Sequence, residues 1–275
     1  MQKAKKPKRP KSIEQIQAKI KSKEKKAKAK DQELKFYRKS NDGLLTYLSD
    51  SEGNFLFVER ADGTISRLDL FDKHYYKLRL YNNIPILEVD GLRMQLVKDF
   101  NSPLDYAKEV VDGLNIPEKG KFHVFDSCMG LGYTAISVAS KNAVTCVTTT
   151  EISQAVITLA KYNPYSEALF DSKNKKIEII NQSAFDFVKS VAENSFDFVI
   201  HDPPRFSHAD ELYSNEFYQN LFRVCKGGAR IFHYVGSVGT KAGRSIEEEV
   251  IGRLLKAGFS KTKYVKKLQG FYFEK

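Results

Sequence analysis

The stretch FHVFDSCMGLGYTAISVA, residues 122–139, decides the fold of this 275-residue chain. It begins with an apolar run typical of a buried strand, passes through a loop containing Gly130 and Gly132, and ends in a helix-like run. Glycine lets a backbone turn tightly into a helix and approach a ligand closely. Because many strand–helix turns contain a glycine pair, this loop needs support from the pattern around it.

The alternation of strands and helices continues from about residue 102 to residue 275. Helical runs such as PLDYAKEVVDGL alternate with strand-like runs such as AVTCVTTTE, KIEIINQS, FDFVIHD and ARIFHYVG. This alternation predicts βαβ units with right-handed crossovers and helices on both faces of the sheet. We therefore predict an α/β fold whose doubly wound, mostly parallel, Rossmann-like sheet has seven strands.

The residues that end these strands are the candidates for a site, because ligands of such sheets bind beyond the carboxyl ends of the strands. The first strand ends at Asp126 and the second at Glu151. An acid at the second position accepts hydrogen bonds from both hydroxyls of a ribose, although helix N-termini also favour acids. The fourth strand ends in DPPR, residues 202–205, where the prolines must stop the ladder.

These motifs together resemble class I S-adenosylmethionine-dependent methyltransferases over residues 102–275. The blocks GLRMQLVKD, DSCMGLGYTAI, NPYS, IHDPPRFS, ELYSNEFY and IFHYVG are similar to those of predicted archaeal methyltransferases related in fold to spermidine synthases. The resemblance implies S-adenosyl-L-methionine as the cofactor. The cofactor-binding positions that it implies are Asp126, Ser127, Cys128, Gly130, Gly132, Tyr133, Thr134, Glu151, Ile152, Ser183, Ala184 and Asp202.

The resemblance also implies a role for each part of that set. Asp126 and the glycine loop would hold the methionine part of the cofactor, Glu151 its ribose, and Ser183 with Ala184 its adenine. Within this cofactor-binding set the chain departs from the family at two positions: Ser183 stands where relatives usually carry Asp, and Cys128 where they carry the first glycine. A hydroxyl accepts a hydrogen bond less strongly than a carboxylate does.

The DPPR segment would form the catalytic lip. In methyltransferases that act on amines, an acid-Pro-Pro-aromatic lip accepts the hydrogens of the amine and aims its lone pair at the methyl group, so that catalysis is mostly alignment. We predict Asp202, Pro203, Pro204 and Arg205 as catalytic residues, with Asp202 aligning the nucleophile. Arg205 stands where an aromatic residue is usual, and a guanidinium stacks on a base or binds phosphate or carboxylate.

The remaining histidines and cysteines give weaker signals. His201 and His233 end two predicted strands, so each is either a pocket residue or a core histidine, and His208 is equally open. Cys225 is predicted to pack in the core. The three cysteines are widely spaced and form neither a disulfide framework nor a zinc pattern, so we predict no metal site and a cytoplasmic location. No apolar run reaches the roughly 18–20 residues that span a bilayer.

The chain before residue 102 divides into two parts. Residues 35–101 contain short strand-like runs separated by turn residues, which predict a small antiparallel β domain for substrate recognition, packing or oligomer contacts. Residues 1–34 hold 13 of the 45 Lys and Arg residues and 4 of the 34 Asp and Glu residues, hence +9 of the net charge of +11. We predict a disordered or marginally helical arm there, which either contacts RNA phosphates or only aids solubility.

The sequence therefore predicts a methyltransferase that methylates a nitrogen of an RNA, either tRNA or rRNA. One alternative is an aminopropyltransferase or small-amine methyltransferase on a spermidine-synthase-like fold, and another is a catalytically silent RNA-binding protein. A single lip acid beside Arg205 disfavours a polycationic substrate. A silent protein is disfavoured by the joint presence of Asp126, Gly130, Gly132, Glu151 and Asp202. The oligomeric state and the methylated atom stay open.

Overall fold

The structure of the protein is a computed structural model that describes residues 33–206, 209–236, 240–241 and 244–275. Apart from Glu33 and Leu34, the predicted arm lies outside the described residues, and so does His208. The first described part of the chain consists of strands only. They are β1 (Lys35–Lys39), β2 (Thr46–Ser49), β3 (Leu56–Glu59), β4 (Ile65–Arg67), β5 (Asp69–Asp72), β6 (His74–Tyr81), β7 (Ile84–Val89) and β8 (Leu92–Arg93).

These eight strands form two antiparallel sheets, in the orders β1-β2-β3-β4 and β5-β6-β7-β8, where the sequence predicted one small antiparallel domain. Turn chemistry explains the meander within each sheet. Tyr81 pairs with Ile84 across Asn82 and Asn83, which have φ values of 45° and 62°. Asparagine tolerates this left-handed region, and two such residues form the tight turn of a β-hairpin.

The second part of the chain alternates helices and strands. Its helices are α1 (Pro103–Gly113), α2 (Tyr133–Ala139), α3 (Gln154–Lys161), α4 (Glu167–Phe170), α5 (Ala184–Ser190), α6 (Asn215–Val224) and α7 (Ile246–Ala257). Its strands are β9 (Phe122–Asp126), β10 (Val144–Thr150), β11 (Ile177–Ile180), β12 (Phe196–His201), β13 (Cys225–Tyr234), β14 (Thr240–Lys241), β15 (Arg244–Ser245), β16 (Ser260–Val265) and β17 (Gly270–Glu274).

Seven of these strands form one mixed sheet in the order β11-β10-β9-β12-β13-β17-β16. The first five strands run parallel to one another, whereas β17 is antiparallel to both β13 and β16. Only a short turn, Lys266–Leu268 and Gln269, joins β16 to β17, and so short a connection permits an antiparallel pair only. The predicted seven-stranded Rossmann-like α/β fold is confirmed.

One hydrophobic core joins the first part of the chain to the mixed sheet. Leu56 and Leu78 of the antiparallel sheets belong to the same buried cluster as Val124, Val147 and Ile200 of the mixed sheet. Helix α3 packs against both β5 and β6. The antiparallel sheets are therefore fixed against the α/β part rather than attached by a free linker. In the described ranges, the model contains no helix that is both long and apolar enough to cross a membrane.

Candidate active site

A cavity of about 310 Å³ opens at the carboxyl ends of β9, β10 and β12. Residues of β6, β7 and α1 close it from the other side. The two carboxylates that line it, Glu151 and Asp202, end two different strands of the parallel sheet. Ten of the residues that the sequence suggested line this cavity: Cys128, Gly130, Gly132, Tyr133, Thr134, Glu151, Ile152, Asp202, Pro203 and Pro204.

Asp126 supports the cavity from behind rather than lining it. Its carboxylate is fully buried and accepts hydrogen bonds from Thr134 Oγ1 at 2.9 Å and Thr149 Oγ1 at 2.6 Å. Burial raises the pKa of Asp126 to about 6, against the effect of these two hydrogen bonds. The side chain thereby ties β9 to the start of α2 and to β10. Its contact is with the protein, whereas the sequence assigned it to a ligand.

The other predicted positions outside the cavity lining have protein partners or face solvent. Ser183 caps α5, where its Oγ accepts from Phe185 N at 3.2 Å and donates to Glu211 Oε1 at 3.0 Å. Ala184 is buried in the core behind β9, and Arg205 is exposed beyond the lip. Ser127 is buried, with its hydroxyl 2.7 Å from a ring nitrogen of the histidine that ends β12.

Glu151 sits where the glycine loop and β10 meet. Its Oε2 accepts from Gly130 N at 3.0 Å and its Oε1 from Ser153 N at 2.9 Å. Gly130 has a φ of 53°, a left-handed conformation that suits glycine and turns its N–H toward the carboxylate. An ionised carboxylate offers about four lone-pair sites, so two remain for a ligand in the cavity. Burial raises the pKa of Glu151 to about 7.

Asp202 directly follows β12 and lines the cavity. Tyr106, on the buried face of α1, donates its hydroxyl to Asp202 Oδ2 at 3.1 Å. Burial raises the pKa of Asp202 to about 7, and the hydrogen bond from Tyr106 opposes this rise. Ser102 is the N-cap of helix α1, and its Oγ accepts a hydrogen bond from Asp105 N. Pro103 follows as the first residue of the helix. These two residues fix where the helix starts and hence which face carries Tyr106.

Several lining residues come from parts of the sequence that offered no chemical signal. Gln95 accepts the Leu87 N–H with its Oε1 at 2.7 Å and lies beside Gly130. The sequence marked Gln95 only as part of the block GLRMQLVKD, and it marked Tyr106 not at all. From local pattern alone, an aromatic residue on the apolar stripe of a helix is predicted to be a core residue. The other unpredicted lining residues are His74, Tyr76, Leu87, Val89, Met94, Pro103, Ala107, Met129, Leu131, Ser153 and Val156.

In the part of the chain that the structure describes, the cavity has two acids on apolar walls and no matching basic side chain. Neither Lys nor Arg is among the residues that line it, and the ring of His74 lies on an exposed side chain held by Asp90. Two carboxylates that share an apolar cavity favour a cationic ligand, because a nearby positive charge lowers the cost of ionising both of them. The lining fits an amphipathic cation better than an anion.

The two strand-ending histidines are core residues in the structure. His201 is fully buried between Ser127 Oγ, 2.7 Å from its Nδ1, and Leu212 O, 3.1 Å from its Nε2. His233 is fully buried with its Nε2 2.9 Å from the Tyr218 hydroxyl. Burial lowers the pKa of His233 to about 3 and that of His201 well below its usual range. Both imidazoles are thus neutral at physiological pH. Neither histidine is among the residues that line the cavity.

The thiols of Cys225 and Cys128 are not activated nucleophiles. Burial raises the pKa of Cys225 to about 12 and that of Cys128 well above its usual value. A nucleophilic cysteine needs a lowered pKa. Across the described residues, no group of three or more His, Cys, Asp or Glu side chains is arranged to hold a metal ion.

The raised pKa of Asp202 predicts a stability effect that needs no ligand. A carboxyl whose pKa is higher in the folded protein stabilises the fold below its unfolded value of 3.8, and this contribution is lost as the pH rises through about 7. Asp202→Asn should therefore be more stable than wild type at pH 8, by roughly 1–3 kcal/mol after allowance for partial exposure. Urea denaturation from pH 4 to pH 8 measures this difference.

The difference between Asp202→Asn and wild type should shrink steadily as the pH falls from 8 toward 4. Asn keeps an acceptor for the Tyr106 hydroxyl, so the variant loses little packing. A variant that is less stable than wild type at pH 8, or a difference independent of pH, would show that Asp202 is not a destabilised buried carboxylate.

Comparisons with known proteins agree with this architecture. The model of the spermine/spermidine synthase domain family matches residues 89–264. The uncharacterized protein MJ1233 of Methanocaldococcus jannaschii is 40% identical over 228 residues, which cover 82% of this chain and 75% of that protein.

Solved structures resemble the chain over most of its length. A spermidine synthase in complex with the transition-state analogue AdoDATO superposes with a TM-score of 0.61 at 16% identity, covering 90% of this chain and 83% of the other. The spermidine synthase of Thermotoga maritima gives a TM-score of 0.58 at 15% identity, covering 90% and 82%. At these identities the likeness concerns the fold. With most of its length matched by the family model, the chain belongs to the spermine/spermidine synthase domain family.

Proposed function

We propose that this protein transfers a methyl group from S-adenosylmethionine to a nitrogen atom of an RNA. One observation carries the proposal: Asp202, fixed by Tyr106, faces the same cavity as Glu151 and the glycine loop. This arrangement separates an end that can hold a nucleoside from an end that can align a nucleophile. Within the family, it fits the methyltransferases that the sequence motifs resemble.

The described residues fit the proposed cofactor. Bound S-adenosylmethionine supplies a methyl group on a positively charged sulfonium, an already activated leaving group. The two lone-pair sites left on Glu151 suit the ribose hydroxyls, and the backbone of Cys128–Gly132 suits the methionine part. Asp126 holds this loop in place through Thr134. Burial raises the pKa of three neighbouring carboxyls, Asp126, Glu151 and Asp202, and a cation between them would lower these pKa values.

Asp202 would orient the nucleophile and take up its proton. The Tyr106 hydroxyl holds Oδ2, which leaves Oδ1 to accept an N–H of the substrate amine and point the nitrogen lone pair into the cavity. After transfer of the methyl group from the sulfonium, the substrate nitrogen would carry the positive charge and would release a proton to Asp202. A carboxylate with a pKa of about 7 is suited to accept that proton near neutral pH.

A second candidate is aminopropyl transfer to a small amine. The family assignment favours it, and so do the two spermidine synthase structures, whose likeness covers 90% of this chain and thus includes the antiparallel sheets. A diamine substrate, however, carries a second ammonium group that needs its own acid. Among the described residues, the cavity lining offers Asp202 and Glu151 as acids, and in either reaction the ribose hydroxyls would take up the two lone-pair sites that the backbone N–H groups leave free on Glu151. Methyl transfer therefore fits the described cavity better.

The choice of RNA as substrate is supported by charge. Residues 1–34 carry a net charge of +9, a composition that binds phosphates without reading sequence. Arg205 is exposed directly beside the lip, where a guanidinium suits a phosphate or the face of a base. A small soluble amine would need neither feature.

Parallel transfer assays separate the two candidates. One reaction contains S-adenosylmethionine labelled in its methyl group together with total cellular RNA. The other contains decarboxylated S-adenosylmethionine labelled in its aminopropyl group together with a diamine. We expect label in the RNA of the first reaction and none in the amine of the second. Label in the amine alone would assign the protein to aminopropyl transfer.

Tyr213 should position the lip although it does not line the cavity. Its buried hydroxyl donates to Pro204 O at 2.8 Å, which fixes the position of that carbonyl. In Tyr213→Phe the lip loses this anchor, and we expect kcat to fall roughly tenfold, since small misplacements of aligned groups slow catalysis strongly. The affinity for S-adenosylhomocysteine should not change. Steady-state kinetics and calorimetry measure the two quantities.

Tyr218→Phe is the matched control for Tyr213→Phe. It removes another buried hydroxyl nearby, one that bonds to His233 instead of the lip. We expect this control to lower stability without lowering kcat at a temperature where it stays folded. Equal losses of kcat in the two variants would indicate a general packing effect, and the positioning role of Tyr213 would be rejected.

A further inference from the structure

Strand β1 combines positive charge with an exposed aromatic ring. Its sequence KFYRK contains Lys35, Arg38 and Lys39, and the Phe36 side chain is 66% exposed. In the part of the chain that the structure describes, none of these three cations forms an ion pair with an acidic side chain. An exposed aromatic ring beside cations is the combination by which proteins bind single-stranded nucleic acid, with a base stacked on the ring.

The ring of Tyr165 extends this feature. The Arg38 guanidinium lies over the Tyr165 ring, 4.8 Å from its centroid, and both residues line an open groove of about 880 Å³ together with Lys35 and Phe36. We call Lys35–Lys39 with Tyr165 the β1 platform. Stacking holds the guanidinium flat, in a geometry that suits a neighbouring base or phosphate.

The acids of the same groove do not cancel this charge. Asp50 is buried, and its Oδ1 accepts hydrogen bonds from Asn54 N at 2.7 Å and Phe55 N at 3.3 Å, so it closes a turn. Glu52 is exposed and accepts from the Asn54 side chain at 2.7 Å. Among the described residues that line the groove, Glu52 is therefore the one exposed acid. The platform contributes two cations to the same groove, Lys35 and Arg38.

The β1 platform is linked to the active-site cavity by a buried residue. Tyr165 N donates to Asn163 Oδ1 at 3.1 Å, and Asn163 Nδ2 donates to the Tyr133 hydroxyl at 2.9 Å. Tyr133 lines the cavity. On its other side the platform follows directly after residues 1–34, which carry most of the net charge.

We propose that the β1 platform docks an unpaired segment of the RNA substrate, with a base stacked on Phe36 and phosphates near Lys35 and Lys39. The inference rests on the proposed function and names the surface that holds its substrate. Stacking requires a base that is free of its partner, so the preferred ligand is single-stranded. The platform reads charge and ring faces, and its contribution is therefore independent of base sequence.

Phe36→Ala in the full-length protein tests the platform. The probe is a fluorescein-labelled single-stranded uridine oligonucleotide, and its anisotropy is measured with saturating S-adenosylhomocysteine. Loss of one stacked base should weaken binding by roughly 5- to 150-fold. Phe71→Ala is the matched control, because its ring is also exposed, at 59%, but its neighbour Asp72 is acidic. We expect the control to bind the oligonucleotide within about twofold of wild type, as for a residue without a stacked base.

A salt series separates stacking from charge. Lys35→Ala and Lys39→Ala should each lower the slope of log affinity against log salt by about 0.7, the value for one phosphate contact of a single strand. Phe36→Ala should leave that slope unchanged. Thermal denaturation and binding of S-adenosylhomocysteine confirm that every variant is folded.

The outcomes distinguish this inference from the proposed function. Equal oligonucleotide affinity of Phe36→Ala and wild type would overturn the platform and leave RNA methylation standing. Selective weakening by Phe36→Ala without any methylated RNA product would support the platform and reject the proposed reaction. If Phe36→Ala instead dissociates a dimer and leaves RNA affinity unchanged, the surface is a contact between copies of the chain and the platform is rejected.

Discussion

Replacing Asp202 with Asn should nearly abolish methyl transfer while leaving cofactor binding intact. The variant keeps the side-chain volume and an acceptor for the Tyr106 hydroxyl, but it cannot take up the proton of the nucleophile. General-base catalysis by a positioned group contributes about 100- to 10,000-fold, and we expect kcat to fall by that factor. Single-turnover assays on RNA measure the rate, and calorimetry with S-adenosylhomocysteine measures binding.

Asp197→Asn is the control for this experiment. Asp197 lies on the same strand, near the end of β12 opposite the cavity, where its carboxylate accepts from His123 N and pairs with Lys226. We expect its kcat to stay near that of wild type. Normal turnover by Asp202→Asn on the true substrate would remove Asp202 from the reaction. A loss of cofactor affinity equal to the loss of rate would instead make Asp202 a cofactor ligand.

Replacing Glu151 with Gln should weaken the binding of S-adenosylhomocysteine strongly. A neutral amide oxygen replaces a carboxylate that already serves Gly130 N and Ser153 N, so the ribose hydroxyls lose their charged acceptor. Hydrogen bonds to a charged group contribute about 1–3 kcal/mol, which corresponds to roughly 5- to 150-fold in affinity. Glu178→Gln, an exposed substitution on the neighbouring strand β11, is the control and should bind normally.

The pH dependence of the same binding reaction has a defined sign. Because burial raises the pKa of Glu151 to about 7, the carboxylate becomes protonated as the pH falls through that value. The wild-type affinity for S-adenosylhomocysteine should therefore decrease from pH 8 to pH 6, whereas that of Glu151→Gln should change little. An affinity that rises on acidification, or a variant as tight as wild type, would exclude Glu151 as the ribose acceptor.

The sequence was informative where local pattern and topology act together. The strand–loop–helix rhythm predicts parallel strands, and parallel strands end at one edge of the sheet. Glu151 and Asp202 are 51 positions apart in the chain, yet both line the same cavity, as this rule requires. The two antiparallel sheets were less predictable, since turn residues mark the ends of strands but not which strands share a sheet.

The parts of the site that sequence could not supply depend on tertiary contacts. Tyr106 reaches Asp202 across 96 positions, and no local pattern distinguishes such a tyrosine from a core residue. Asp126 and Ser127 lie within a motif that predicts ligand contacts. In the structure, Asp126 is instead hydrogen-bonded to Thr134 and Thr149, and Ser127 to His201. Which partner a buried polar group finds is decided by the neighbouring strands, not by its own motif.

The most direct test of the central claim is mass spectrometry of nucleosides after an in vitro reaction. Unmethylated RNA is incubated with S-adenosylmethionine carrying a trideuteromethyl group, using wild type and Asp202→Asn in parallel, and is then digested to nucleosides. The account predicts one nucleoside with the trideuteromethyl group on a nitrogen in the wild-type reaction, and only a trace with the variant. Two results together would contradict RNA methylation by this protein. The wild-type reaction would yield no labelled nucleoside, and the protein would transfer an aminopropyl group from decarboxylated S-adenosylmethionine to an amine.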